Sequence, residues 1–216
     1  MTSALPPGLE GNLVEYVRGG EGDWLPFDQK RLYTNAFVIQ DDKILLGWKK
    51  RGFGVNKYNG FGGKVELGET PAEAAMRELK EEAGIVAPLE HAGSLLFMTK
   101  GAGWAFQIEM FSARSYSGIP TEQVLFYMCD CVVTDGLRHR TDEMRPEWFS
   151  LVPPASGLSD TNESVMQIPY EKMWDDDVYW LPLLVQGQKF VGRADFVMEG
   201  DEFRMTRHWF GTIKDH

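Results

Sequence analysis

Near residue 70 the sequence contains a capped helix signal that follows a pair of glycines. Thr70 is a favourable N-cap residue, Pro71 suits the first helical position, and Glu73 completes a capping box with Thr70. Nearly all residues that follow are strong helix formers, and Gly84 is well placed to end the helix. The pattern therefore predicts an α-helix over residues 71–83.

Three glutamates of this helix, Glu78, Glu81 and Glu82, fall at i, i+3 and i+4 and so share one helical face. One interpretation is an acidic face exposed to solvent, which is the usual fate of a charge run. The other is a site for a hard divalent cation, Mg²⁺ or Mn²⁺, because clustered carboxylates repel one another without a positive charge among them. Arg77 can pair with Glu81 along the helix or reach back toward Glu69.

The complete spacing of this segment separates the two interpretations. Its fixed positions are Gly63, Glu69, Arg77, Glu78, Leu79, Glu81, Glu82, Gly84 and Ile85. This pattern resembles the Nudix box at every fixed position. The resemblance implies a Mg²⁺-dependent hydrolase that cleaves a diphosphate linked to another moiety.

Charge and cysteine usage restrict the partners. The formal net charge of −10 argues against a surface that binds a nucleic-acid polymer, although a metal ion and local lysines can still attract a small anionic nucleotide. Cys129 and Cys131 are poorly spaced for a disulfide and predict reduced thiols in an intracellular protein. No long apolar run and no secretory signal is visible. We expect a monomer without membrane partners in the cytoplasm, with a nuclear or mitochondrial fraction as the alternative.

The apolar patterns predict an α+β fold. Residues 1–30 are expected to form a partly ordered extension, because residues 24–27 are too apolar for a free tail, and residues 31–216 form the main domain. A second helix is predicted from Asp177 after a helical turn. Strands are predicted at 32–40, 43–50, 89–99, 104–114, 124–133, 148–152, 189–198 and 202–210. The Nudix resemblance implies the same class, an α/β/α sandwich in which a mixed sheet lies between helices and the box forms a loop–helix–loop.

The resemblance extends beyond the box to a narrower group. Residues 31–210, with breaks, are similar to the eukaryotic MutT homologues. The segments that carry the similarity are 49–54, 59–65, 142–149 and 168–186. Those enzymes hydrolyse oxidised purine nucleoside triphosphates, such as 8-oxo-dGTP and 2-hydroxy-dATP, to the monophosphate and pyrophosphate.

The resemblance implies roles for individual residues at the reaction end. The matched metal ligands are Glu78, Glu81, Glu82 and the backbone carbonyl of Gly62, and Arg77 belongs to the same catalytic motif. Glu143 matches a further carboxylate that assists the metal or the water. Nudix enzymes differ in which glutamate takes the proton from water, so that assignment stays open here. Lys49 and Lys64 are candidates for phosphate contact.

The resemblance also implies a purine pocket. Its matched residues are Asn59, Trp174, Asp176 and Asp177, and further substrate-binding candidates are Thr34, Phe53, Phe61, Gly62, Gly63 and Phe97. A tryptophan face can stack on a flat ring. Two adjacent aspartates should raise one pKa, so that one carboxyl donates a hydrogen bond while the other accepts. Taken alone, Trp174 would be a core residue and the aspartates a helix cap.

Three departures from the MutT homologues set this chain apart. Residues 123–140 and 152–166 are insertions without counterparts, and Asp175 stands where relatives have proline, which adds negative charge near the base. The alternative substrates are O6-alkylated purine nucleotides, dinucleoside polyphosphates and isoprenyl diphosphates, which the box supports equally. A non-catalytic binding module is a third reading, disfavoured because the box glutamates are all present.

Overall fold

The computed structural model describes residues 4–122, 143–153 and 166–213. It contains ten strands and two α-helices, preceded in the case of α2 by a 3-10 turn at Tyr170–Lys172. The elements are β1 (Leu13–Gly20), β2 (Gln29–Gln40), β3 (Lys43–Lys49), β4 (Tyr58–Asn59), α1 (Pro71–Ala83), β5 (Glu90–Thr99), β6 (Trp104–Ala113), β7 (Met144–Ser150), β8 (Met166–Gln167), α2 (Asp177–Val185), β9 (Phe190–Glu199) and β10 (Glu202–Ile213).

The predicted α+β class is confirmed. The strands form one mixed sheet in the order β1-β10-β9-β5-β6-β2-β3-β7-β8, and β4 pairs with β3. The pairs β2–β6, β5–β9 and β7–β8 are parallel and the others are antiparallel. Both predicted helices begin at the predicted residues.

One predicted strand has other bounds in the structure, and another lies outside the described residues. The strand predicted at 148–152 instead spans Met144–Ser150, because β7 pairs with the whole length of β3 and that long-range register fixes its ends. The strand predicted at 124–133, the insertion at 123–140 and the two cysteines lie outside the described residues, as does most of the insertion at 152–166.

The sheet buries a different apolar cluster on each face. On one face α1 packs Ala75, Leu79 and Ala83 against alternate residues of β2 and β6. On the other face α2 packs Trp180 and Leu184 against the intervening residues of β2, together with residues of β3, β5 and β9. The alternation of side chains along each strand produces this division, and it leaves the sheet between two helical layers.

The first helix forms where its capping signals predict. Thr70 Oγ1 accepts from the Glu73 backbone N–H at 3.3 Å, and the Glu73 carboxylate accepts from the Thr70 N–H at 2.8 Å. Gly84 ends the helix with φ of 73°, a left-handed conformation that glycine adopts without steric cost. These local bonds fix the direction in which the box glutamates leave the helix.

Strands β2 and β3 separate along most of β2, and the box loop fills the opening. β2 pairs with β3 only over its last residues, from Val38 to Gln40. Nearer the start of β2, the Thr34 N–H donates to the Gly63 carbonyl at 2.9 Å, and Ala36 exchanges backbone hydrogen bonds with Phe61. The glycine pair before α1 is thereby held against the centre of the sheet.

The segments on either side of β1, residues 4–12 and 21–28, form an N-terminal arm that packs on the same face of the sheet as α1. Leu9, Leu25 and Phe27 contact a buried cluster of β5 and β6, and a buried ion pair beneath the arm joins Arg193 to Asp195 at 2.9 Å. The arm completes the hydrogen bonds of this pair: the guanidinium donates to the carbonyls of residues 7 and 25, both at 2.6 Å, and the carboxylate accepts the backbone N–H of residue 25 at 2.6 Å. The arm is therefore tied to β9 by satisfied buried charges.

Replacing Arg193 by Met is expected to lower the free energy of unfolding by about 3–5 kcal/mol, because the Asp195 carboxylate would stay buried without its cation. Urea unfolding at pH 7 measures this loss. Arg207→Met is the matched control: Arg207 lies 4.4 Å above the Trp24 ring, and losing that contact should cost only about 0.5–1 kcal/mol. Equal losses for the two variants would contradict the assignment of the arm to the buried pair.

Among the described residues, neither helix combines the length and the apolar character needed to cross a membrane.

Candidate active site

A cavity of about 360 Å³ opens where the box loop, α2 and one face of the sheet meet. One end is lined by charged groups and glycines: Lys49, Gly62, Gly63, Glu78, Glu82 and Glu143. The other end is lined by aromatic, amide and carboxyl groups, among them Phe53, Asn59, Phe97, Trp174, Asp176 and Asp177. The fold thus brings residues from both predicted sets together around one cavity.

At the charged end, α1 places two glutamates against the glycine pair. Glu82 is only 8% exposed, and its carboxylate accepts the Gly62 N–H at 2.9 Å. A Cβ atom added to Gly63 would lie 2.4 Å from Glu78 Oε1, so only glycine permits this approach. Gly63 therefore makes room for the Glu78 carboxylate at the charged end of the cavity.

These carboxylates interact electrostatically. The pKa of Glu82 is raised to about 8, chiefly by burial; the charges of Glu78 and Glu143 contribute to this rise, whereas Lys49 and the Gly62 N–H oppose it. Burial also raises the pKa of Glu78, and the charges of Glu81 and Glu143 add to the shift while Arg77 opposes it. The charged end therefore concentrates negative charge that its own cations balance incompletely.

Arg77 contacts both of the partners considered from the sequence. Its guanidinium donates to the two oxygens of Glu69, at 2.7 and 3.1 Å, and to Glu78 at 2.8 Å and Glu81 at 3.3 Å. Glu69 and Glu78 raise the pKa of Arg77 above its ordinary value. Glu81 itself does not line the cavity, and its side chain is 41% exposed. Arg77 thus orients the loop and the helix relative to one another.

The donor set at this end suits a hard divalent cation. Within residues 4–122, 143–153 and 166–213, no three acidic, histidine or cysteine side chains already converge on a common metal position. Instead Arg77 holds Glu78, and the Lys49 ammonium donates to Glu143 at 2.7 Å. Clustered carboxylate oxygens are nevertheless the ligands that Mg²⁺ and Mn²⁺ prefer, and a cation would relieve the repulsion that raises the pKa values of Glu78 and Glu82.

At the opposite end, aromatic rings surround Trp174. Phe53 stacks on its ring at 5.2 Å between centroids and 26° between planes, and Phe97 meets it edge-on at 5.0 Å. Phe53 is 46% exposed, whereas Trp174 is 6% exposed. Trp174 is thus both a core residue, as one interpretation expected, and a wall of the cavity. A flat ring stacked on the face that Phe53 covers would have to displace that side chain.

The two aspartates at the start of α2 are both buried, but they differ in their bonds. Asp177 accepts the backbone N–H of Trp174 at 3.1 Å, a group that precedes α2, so this bond does not cap the helix. Asp176 makes no capping bond; its Oδ2 accepts from Trp180 Nε1 at 3.2 Å, and its Oδ1 has no partner. Burial raises both pKa values, that of Asp176 to about 7, and the proximity of Asp176 raises that of Asp177 further.

Asp176→Asn is expected to weaken the pH dependence of stability. Between the ordinary pKa of an aspartate and about 7, native Asp176 keeps a proton that the unfolded chain has lost, so the free energy of unfolding falls as the pH rises. From pH 5 to pH 8 this contribution is on the order of 2 kcal/mol and should be absent from the variant. Urea unfolding at both pH values measures the slope, with Asp201→Asn on the exposed β9–β10 turn as control. A slope unchanged by Asp176→Asn would contradict the burial argument.

Asp175 points away from the cavity. Its Oδ2 accepts the Met205 N–H at 2.9 Å, and Arg204 lies 3.9 Å from its Oδ1. It therefore joins the start of α2 to β10 and does not line the cavity. Its remaining influence there is electrostatic, because its charge adds to the raised pKa of Asp176.

Two predicted substrate-binding residues lie elsewhere. Phe61 is fully buried in the apolar cluster beneath α1, because its position beside Ala36 of β2 turns the ring to the face of the sheet that α1 covers. Lys64 forms a bridge with Tyr33, and its carbonyl accepts from Arg77. Neither side chain lines the cavity. The placement of Phe61 corrects its assignment as a substrate contact.

The cavity also contains residues that the sequence analysis did not select. They are Tyr33, Asn35, Gly60, Leu95, Phe106, Ile108, Met110, Met144 and Trp180. Several of them alternate along β2 and β6, so the sequence could show that they share one face of each strand. It could not show that β2 and β6 pair in parallel and bring these residues to the same cavity.

Comparison with known proteins agrees with this architecture. The sequence model of the NUDIX domain matches residues 29–156. The chain belongs to the Nudix family. Nudix hydrolases use divalent metal ions and act on small-molecule nucleotide substrates, in agreement with the carboxylates and the cavity described above.

Two relatives share a large part of the chain. An oxidized purine nucleoside triphosphate hydrolase from Mus musculus is 40% identical over 167 residues, which cover 77% of this chain and 86% of the relative. The protein of the same name from Danio rerio is 38% identical over the same coverage. Among solved structures, a mutator MutT protein from Bacillus halodurans matches with a TM-score of 0.57 at 20% identity, covering 83% of this chain and 97% of that one. The last similarity supports the fold.

Proposed function

We propose that this Nudix hydrolase converts oxidised purine nucleoside triphosphates, such as 8-oxo-dGTP and 2-hydroxy-dATP, to the monophosphate and pyrophosphate. The observation that carries the proposal is a single cavity with box carboxylates at one end and a Trp174–Asp176–Asp177 cluster at the other. The two relatives named for this activity, each covered over most of its length, support it further.

The purine would lie at the aromatic end of the cavity. The rings of Trp174, Phe53 and Phe97 provide flat apolar surfaces for a base. Because burial raises the pKa of both Asp176 and Asp177, one carboxyl can keep its proton near neutral pH and donate a hydrogen bond while the other accepts. Such a pair suits keto and amino groups of altered purines.

The triphosphate would extend to the charged end. Glu78, Glu81, Glu82, Glu143 and the Gly62 carbonyl would hold the divalent cation, which when bound neutralises phosphate oxygens and makes a coordinated water more acidic. Lys49 lies at this end and can exchange its bond with Glu143 for one to a phosphate oxygen. Arg77 keeps the helix and the loop in register while these groups rearrange.

The proposal extends to Mg²⁺ or Mn²⁺ as the cation and to a monomer working in the cytoplasm. The all-oxygen donor set supports the choice of cation. Light scattering during gel filtration tests the oligomeric state.

Initial rates on a panel of substrates test the proposal. The panel contains 8-oxo-dGTP, 2-hydroxy-dATP, O6-methyl-dGTP, dGTP, dATP, a dinucleoside tetraphosphate and farnesyl diphosphate, each with Mg²⁺ and with Mn²⁺. We expect kcat/KM to be largest for an oxidised purine nucleotide, with pyrophosphate as a product. A preference for the tetraphosphate or for the isoprenyl diphosphate would contradict the proposed substrate class.

A further inference from the structure

One polar side chain in the cavity has no role in the function proposed so far. Asn35 lies on β2 directly before residues that form the apolar core, and it is only 6% exposed. It lines the cavity together with its neighbour Asn59. A buried amide at the edge of an apolar core costs free energy unless its donors and acceptor are satisfied.

The hydrogen bonds of the two asparagines determine how both amides are oriented. The Gly60 backbone N–H can only donate, and it lies 2.9 Å from Asn59 Oδ1, so that atom is the carbonyl oxygen. Asn35 must then donate from Nδ2 to the same oxygen, at 2.7 Å. The Asn35 carbonyl oxygen is consequently turned elsewhere, and it is buried without a hydrogen-bond partner.

The surroundings make room for this unpartnered oxygen. A Cβ atom added to Gly60 would lie 2.3 Å from Asn35 Oδ1, so glycine at that position permits the amide to sit there. An apolar side chain of similar size at position 35 would fill the space without leaving an acceptor unmatched. The two amides of the cavity lining therefore leave one unpartnered acceptor, Asn35 Oδ1, and one donor group, the Asn59 amide nitrogen.

We infer that Asn35 is a specificity-determining residue, whose Oδ1 accepts a hydrogen bond from an N–H group of the bound base. This inference rests on the proposed function. The substrate class it favours is a purine with an N–H donor next to a ring nitrogen or keto acceptor, which Asn59 can contact. In 8-oxoguanine, three donor–acceptor pairs have this pattern: the 2-amino group beside N3, N1–H beside the 6-keto group, and N7–H beside the 8-oxo group.

Binding of nucleoside monophosphates, measured by calorimetry, tests the inference independently of turnover. The ligands are 8-oxo-dGMP, 8-oxo-dIMP, which lacks the 2-amino group, O6-methyl-8-oxo-dGMP, which lacks N1–H, and dGMP, which lacks N7–H. We expect wild-type protein to lose at least about tenfold in affinity on one of the three deletions. In Asn35→Leu the same deletion should cost less than about threefold, because the acceptor is gone.

Ile108→Ala is the matched control, because Ile108 lines the same cavity without a polar group. It should weaken binding of all four ligands alike and keep the tenfold discrimination. Asn35→Ala gives the same readout if Asn35→Leu does not fold. Unchanged discrimination in the Asn35 variants, or a wild type indifferent to all three deletions, would overturn the inference. Failure of wild-type protein to bind 8-oxo-dGMP at all would instead count against the proposed function.

Discussion

Glu82→Gln is expected to lower kcat by about 10³-fold, or about 4 kcal/mol in the activation barrier. Glu82 is buried beside the glycine pair, and its carboxylate is held by the Gly62 N–H at the charged end of the cavity. Glutamine keeps the size and can accept the same hydrogen bond, but it removes the charge that would ligate the cation. Steady-state rates on 8-oxo-dGTP with saturating Mg²⁺ measure the loss.

A second readout for this variant does not depend on turnover. Mg²⁺ should raise the thermal midpoint of wild-type protein, because a ligand that binds only the native state stabilises it, and this increase should be much smaller in Glu82→Gln. Glu73→Gln is the matched control: the residue lies on the same helix, and glutamine preserves its capping box. Full activity in Glu82→Gln with an unchanged Mg²⁺ effect would contradict the assignment of the charged end.

Asp176→Asn is expected to lower kcat/KM for 8-oxo-dGTP by about 10²-fold, and to impair slow hydrolysis of an unmodified triphosphate far less. The Asp176 Oδ1 atom is buried in the cavity without a partner, and the raised pKa lets the carboxyl act as donor or acceptor. Asparagine fixes one donor and one acceptor. If its oxygen keeps the bond to Trp180, only the donor faces the base.

Asp175→Asn is the control for this experiment. Asp175 is adjacent in sequence, but its carboxylate accepts the Met205 N–H outside the cavity, and asparagine can preserve that bond. The ratio of kcat/KM for 8-oxo-dGTP to that for dGTP should therefore fall in Asp176→Asn and stay near the wild-type value in Asp175→Asn. An equal fall of kcat/KM for 8-oxo-dGTP and for dGTP in Asp176→Asn would contradict the role of Asp176 in recognising the base.

Local signals explain why much of the reaction end could be predicted. The capping box, the terminal glycine and the i, i+3, i+4 glutamates are contained in one helix, so their geometry follows from short-range bonds. The purine end was found through resemblance, because Asn59 and Trp174 are far apart in sequence. Nothing local to either residue indicates that they line one cavity.

Long-range pairing explains what sequence reasoning missed. Asn35 becomes a cavity residue only because β2 separates from β3 and lies beside the box loop. The resemblance implied that Phe61 contacts the substrate, yet its pairing with Ala36 turns the ring into the core. Similarly, no local pattern shows that the carbonyls of residues 7 and 25 complete the hydrogen bonds of Arg193.

A crystal structure with 8-oxo-dGMP and Mg²⁺ would show whether an oxidised purine nucleotide binds in the cavity between the box glutamates and Trp174. We expect the oxidised base between Trp174 and its neighbouring rings, within hydrogen-bonding distance of Asp176 and Asp177, and the phosphate near Lys49 and the box glutamates. Phe53 should have moved from the position in which it stacks on Trp174. A base bound outside this cavity, with Asp176 Oδ1 still unpartnered, would contradict the proposal that Trp174, Asp176 and Asp177 bind the purine.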